Sequence, residues 1–418
     1  MTMLPGSQPN PNFSPRAQAG TSATAGERPR SYKGPAILSY GFRPFFLFGS
    51  LYAGCAVAAW IWMIAEGTSL PGLFQGVAWH SHEMIFGYLA AIVAGFILTA
   101  VPNWTGSLPV RGAPLGALVL VWFAGRIAIA IVPWPWIALL IDAAFLILLA
   151  AVLWREVVAG RNWRNAPVCV LISIFAAANI LAHLGLSFEN LAGYGDRLAL
   201  GVAALLIGLI GGRVVPSFTR NWMARLGVEP KPAPFGRFDQ GVLIGTALAL
   251  AWWVAAPTAF TTGAMLVAGG LLHLVRLARW RGDMTLREPI VAILHVGYLW
   301  LAIAFLMIGG AILFPDIIGT SSSLHALGAG AIGTMTLAIM TRATLGHTGH
   351  EITADTATIA IYCLVTIGSV ARVAAPYLPV DYVLAIGVGG AAWAAAFLLF
   401  SLAYGPLLLR RDSPSSNQ

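Results

Sequence analysis

With 418 residues, 58% of them hydrophobic and only 10% charged, and a mean hydropathy of +0.79, the chain is too apolar for a soluble protein, where the apolar share is roughly 45 to 50%. The net charge of +8 is spread over many connections rather than gathered in one patch. That excludes nucleic acid as a partner and fits orientation against anionic membrane lipid.

Residues 1 to about 35 are rich in Pro, Ser, Gly, Ala and Asn and lack an apolar run, so they are expected to be a disordered tail with no cleavable signal. Residues 36–409 then read as one polytopic all-α membrane domain, followed by a short tail at 410–418. Apolar stretches of about 20 residues predict about twelve transmembrane helices, at roughly 44–66, 80–101, 112–132, 134–154, 166–187, 196–215, 238–256, 258–279, 290–313, 323–342, 355–375 and 382–406. Basic residues collect in alternate connections, among them Arg16, Arg28, Arg30 and Lys33, then Arg155, Arg161 and Arg164, then Arg220, Arg225, Lys231 and Arg237, then Arg276, Arg279, Arg281 and Arg287, and finally Arg410 and Arg411. The positive-inside rule therefore places both termini in the cytoplasm. Trp79, Trp104, Trp134, Trp136, Trp163 and Trp280 fall near span ends, as interface anchors do. Cys55, Cys169 and Cys363 lie inside spans without CxxC spacing, so they read as buried small hydrophobes, not a disulfide or thiolate metal framework.

Ionisable groups at membrane depth are costly, which makes them functional candidates. His80, His82 and Glu83 open the second span, and His183 and His325 lie at the same outer side. His273, His295, His347 and His350 lie toward the cytoplasm. His80 and His82 are two residues apart, which on a helix turns their side chains apart by roughly 200°, so the pair suits two different centres, one on each flank, or one centre and one hydrogen bond, rather than one chelate. His325 is expected to pair across the bundle with one of them, and His183 is a further candidate metal ligand. His325 and His347 would stand roughly 33 Å apart on a continuous helix and cannot share a metal. Glu83 suits the orientation of a ligating imidazole or the relay of protons. With no thiolate nearby, imidazole donors fit haem iron, copper, zinc or non-haem iron. His347 and His350 stand in an expected loop, and His273 is expected to make only helix-end dipole contacts. Arg126 and Asp142 have similar depths on consecutive spans and are expected to form a structural ion pair. Haem-propionate binding by Arg126, or proton transfer through Asp142, is the functional alternative. The second, sixth and tenth spans close on Val101 to Gly106, Val215 to Arg220 and Met340 to Thr344, a short pattern consistent with a recurring four-helix unit.

Gly41 to Phe46, Trp79 to Met84, Gly95 to Gly106, Gly211 to Asn221, His295 to Tyr298 and Thr334 to Gly349 together resemble the NnrS family of bacterial membrane proteins of the nitric oxide response. The resemblance implies a haem- and copper-containing protein of the bacterial inner membrane linked to nitric oxide metabolism. It makes His80, His82, Glu83, His295, His325 and His347 the principal candidates, while His350 stands where the family pattern has a basic residue. The layout is also similar to the catalytic subunit of haem-copper oxidases and nitric oxide reductases, except that the sixth and seventh spans here carry no histidine. The expected function is a b-type-haem-dependent oxidoreductase that binds and reduces nitric oxide, with quinol or a cytochrome as electron donor. A transporter of a metal or nitric-oxide-derived complex, or a haem sensor without turnover, are the alternatives.

Overall fold

The computed structural model describes residues 32–105 and 108–411, without side chains at 103–105. Most of the expected N-terminal tail, Trp104 as an anchor, and the C-terminal tail from 412 lie outside the described residues. Twelve helices are long and apolar enough to cross a membrane: α1 (Phe42–Glu66), α2 (Gly76–Pro102), α3 (Ala113–Ile131), α4 (Pro135–Ala159), α5 (Trp163–Ser187), α6 (Glu189–Leu226), α7 (Arg237–Ala255), α8 (Phe260–Ala278), α9 (Pro289–Leu313), α10 (Thr320–His347), α11 (Thr356–Tyr377) and α12 (Tyr382–Leu409). No strand occurs among the described residues. This is the arrangement a bilayer imposes, because backbone polar groups in hydrocarbon must be satisfied within the helix itself. We call the end of the bundle carrying the α1–α2 and α3–α4 connections the upper end and the opposite one the lower end.

Burial divides the helices. The most apolar stretches of α2, α9, α10 and α6 are 78%, 67%, 67% and 61% buried, against 33 to 44% for the other eight. The four therefore form the interior. The outer helices turn residues such as Leu120, Leu140, Ile244 and Leu402 outward, where lipid meets them as readily as a protein core would.

Three interior helices share a local departure from α geometry. Glu83–Leu89 of α2, Ile207–Gly211 of α6 and Ala326–Gly333 of α10 are π-helical. A π turn frees a backbone carbonyl from the regular ladder, and in a membrane that group needs another donor. Each segment finds one on a neighbouring helix. Trp122 Nε1 donates to Gly87 O at 2.9 Å, Arg276 Nη1 to Gly208 O at 2.7 Å, and Ser369 Oγ and Trp393 Nε1 to Ala329 O at 2.8 and 3.2 Å. The spacing of four helices between these segments supports the recurring unit suggested by the span-end motifs. Two of those motifs also meet directly, since the Arg342 guanidinium lies 3.5 Å over the Phe218 ring.

Some expectations are corrected. Trp134, Trp136 and Trp163 are exposed at helix ends as anchors should be, but Trp79 and Trp280 are core residues. Only Cys169 is buried, while Cys55 and Cys363 face outward. His347 is the last residue of α10 rather than part of a loop, because the chain turns only at Gly349, whose φ is +75°.

Candidate functional site

The first residues of α2 hold two imidazoles on opposite sides of one helix. His80 faces α10: its ring lies 6.0 Å from that of His325, with the planes 10° apart. Trp60 of α1 stacks against His80 at 5.2 Å. His325 Nδ1–H donates to Ser321 O at 2.7 Å, which leaves Nε2 free to ligate, while His80 Nδ1 is buried without a hydrogen-bond partner. Two near-parallel imidazoles that each keep an uncommitted ring nitrogen thus meet between α2 and α10, and such donors suit iron.

His82 points the other way, into a cluster sealed from both solvent and lipid. His82, Glu83, Asp142 and His183 are each at most 3% exposed. His82 Nδ1 lies 3.0 Å from Glu83 Oε1, so Glu83 fixes the ring with Nε2 directed at Asp142. That Nε2 is 3.2 Å from Asp142 Oδ2 yet is not aligned to hydrogen-bond with it. His183 Nε2 reaches the same oxygen at 3.1 Å. One atom each from His82, Asp142 and His183 falls within 4.8 Å of the others. Ligands about 2.0 to 2.1 Å from a tetrahedral ion stand about 3.3 Å from one another, close to the spacing seen. Two imidazoles and a carboxylate suit copper, zinc or non-haem iron. Phe74 closes the cluster with ring contacts to both imidazoles, at 4.1 Å from His82 and 5.0 Å from His183.

The charges around this cluster hold one another. Arg126 Nη1 donates to Glu83 Oε1 at 2.6 Å, Arg126 Nη2 donates to Asp142, and the Tyr52 hydroxyl donates to the other oxygen of Glu83. The expected Arg126–Asp142 ion pair is present, enlarged by Glu83. Two glycines make room for it. A Cβ at Gly87 would come within 2.8 Å of Arg126 Nη1, and one at Gly125 within 2.9 Å of Asp142 Oδ1. Tyr52 was not singled out from sequence, since an isolated tyrosine in an apolar helix carries no distinguishing pattern.

The remaining histidines lie elsewhere. His295 Nε2–H donates to Thr219 Oγ1 at 2.8 Å, which ties α9 to α6 in the lower half, and its Nδ1 is buried beside Gly282 without a hydrogen-bond partner. The His347 ring packs 5.4 Å from Phe42 at the lower end. Neither is brought to His80 or His82. His350 bonds Thr348 at 2.9 Å. His273 is fully buried, not a helix-end group. It bonds Thr246 at 3.0 Å and the Tyr298 hydroxyl at 2.8 Å, within a lower network in which Arg276 pairs with Asp239 at 2.8 Å.

Between α2, α6 and α10 lies a cavity of about 90 Å³, lined by apolar residues including Ile92, Phe96, Ile210 and Met335, with Thr336 as the polar side chain. No curated protein matches the chain. A family model described as NnrS protein matches residues 36–411, nearly the whole sequence and all twelve helices. The chain therefore belongs to the NnrS family.

Proposed function

We propose that this protein is a haem- and metal-containing oxidoreductase of the bacterial inner membrane that binds and reduces nitric oxide, with both termini in the cytoplasm and the upper end of the bundle outward. The observation that carries this reading is the division of the HxH pair: His80 with His325 forms one donor set, and His82 with His183 and Asp142 forms a second, both within one helical turn. His80 and His325 would hold a b-type haem and the second set a metal ion, with copper the one the family implies. When bound, these centres supply electron transfer and coordination of a small ligand.

The chain's own residues prepare that chemistry. Glu83 orients His82 by accepting its Nδ1–H, the role of a carboxylate behind a ligating imidazole. Arg126 neutralises Glu83 and Asp142 without occupying the face where His82 and His183 converge. Tyr52, Glu83, His82 and Asp142 form an unbroken hydrogen-bonded or closely spaced series along which a proton can be held next to the metal set. Phe74 excludes water. The cleft between α2, α6 and α10 is lined almost wholly by apolar side chains, which suits a small uncharged gas.

The test is the optical spectrum and metal content of detergent-purified protein. A Soret band responsive to dithionite and nitric oxide is expected, with stoichiometric metal. Replacing His80 or His325 by Ala should remove a low-spin haem signal and leave the metal, and replacing His82 or His183 should do the reverse. Protein isolated from a haem- and copper-replete host with neither centre would refute the reading.

A further inference from the structure

The last turn of α11 places a cation beside the His80/His325 pair. Arg372 Nη2 donates to Ser321 Oγ at 2.8 Å, and Ser321 is the residue whose carbonyl accepts from His325 Nδ1. One residue thus links the guanidinium to the imidazole. Arg372 is close enough to interact electrostatically with both His325 and His80, and its other neighbour is the Tyr382 phenol. No carboxylate pairs with it among the described residues, and its Nη1 is buried without a hydrogen-bond partner. Arg126, Arg276 and Arg279 also keep one buried unpartnered nitrogen each, but each of them faces an acidic side chain, so the lack of an acidic partner is what sets Arg372 apart. A half-buried guanidinium with an unpartnered donor and no acidic neighbour is a prepared site for an anion.

We propose that Arg372 is the anion anchor of the His80/His325 site, binding a carboxylate side arm of the ring system held between the two imidazoles. The proposal rests on the haem reading above. Ser321 Oγ accepts from Nη2, which leaves Nη1 for the ligand, and the Ser321 carbonyl fixes the tautomer of His325. Arg372 is a positioning residue: it sets which way round the macrocycle enters and holds its acid group at the upper end.

Full-length protein made in a haem-deficient host, purified in detergent, would be titrated with haem b and with haem b dimethyl ester, whose acid groups are blocked. Wild type should prefer the free acid by on the order of tenfold or more, the size of one charge-assisted hydrogen bond. Arg372→Gln should bind both forms alike, at the affinity wild type shows for the ester. Arg372→Lys should keep part of the preference, and Ser321→Ala should keep most of it. If Arg372→Gln keeps the preference, or if wild type takes acid and ester equally because the anion is a lipid phosphate, the anchor is overturned while the haem reading stands. If wild type takes up neither form, both fall.

Discussion

The upper and lower halves of the bundle each contain a buried arginine, and the same device accommodates both. Arg126 presses against Gly87 inside the π segment of α2, and Arg276 presses against Gly212 at the end of the π segment of α6, where a Cβ would come within 2.2 Å of Nη2. The surroundings differ. In the lower network His273 spends both ring nitrogens on neutral hydroxyls, and the guanidinium binds Asp239 through Nε and Tyr298 and Gly208 O through Nη1. In the upper network two imidazoles converge on one carboxylate oxygen and His183 Nδ1 has no partner. A buried arginine and histidine are therefore not enough to mark a site. Convergent, incompletely used lone pairs are.

Breaking each arginine tests that contrast most strongly. Arg126→Met leaves Glu83 and Asp142 as buried carboxylates without a counter-ion and should cost about 3–5 kcal/mol, read as loss of monodisperse protein or a large fall in melting temperature. Arg276→Met should cost clearly less, because Arg279 lies 3.5 Å from Asp239 and remains to neutralise it. Equal losses would show that the two networks are not differently balanced.

Exchanging imidazole for amide separates ligand from scaffold. His183→Gln should empty the metal set, and Glu83→Gln should weaken metal affinity about 10–100-fold by freeing the His82 ring. His273→Gln should leave metal content untouched and lower only stability. A fall in metal content in His273→Gln would join the two halves into one functional unit.

Smaller effects come from the glycines. Gly125→Ala and Gly212→Ala each force a guanidinium or carboxylate to shift, at about 1–3 kcal/mol, but Gly125→Ala should also reduce metal occupancy because its Cβ displaces Asp142. Metal retained at full occupancy in Gly125→Ala would argue that Asp142 is not a ligand.

The smallest effect lies outside both networks. Asp355 caps α11, and hydrogen bonds from the Thr358 hydroxyl and backbone N–H hold its carboxyl below the ordinary range. A lowered carboxyl pKa stabilises the fold above the unfolded value, about 3.9, and that contribution is lost as pH falls through the folded value. Asp355→Ala should thus cost about 1 kcal/mol at neutral pH, and the gap from wild type should narrow below about pH 4. A gap independent of pH would sink the capping account.

The sequence disclosed the upper site unevenly. Arg126 and Asp142 were legible as partners because charges in consecutive apolar spans have nowhere else to go, and the two-residue offset of His80 and His82 dictated opposite directions. The entry of Glu83 into that ion pair was not, since the side a helix turns inward cannot be read when both its core and lipid faces are apolar. The lower network was hidden for another reason. Asp239 and Arg276 lie at span ends, where hydropathy reads them as loop charges. His347 was misassigned to a loop because Gly346 and Gly349 both look like breakers, yet only Gly349 adopts a left-handed conformation.

A π turn is how a helix absorbs one residue too many. If Glu83–Leu89 kept all its residues but wound as regular α-helix, everything before it would swing by about 100° against everything after it. Because His80 and His82 point roughly 200° apart, that swing would leave each imidazole about 100° from its partners. Every candidate ligand would still be present in the chain, and both donor sets would be gone. Within this architecture the winding of one helical segment, as much as the identity of any histidine, decides whether the centres can assemble.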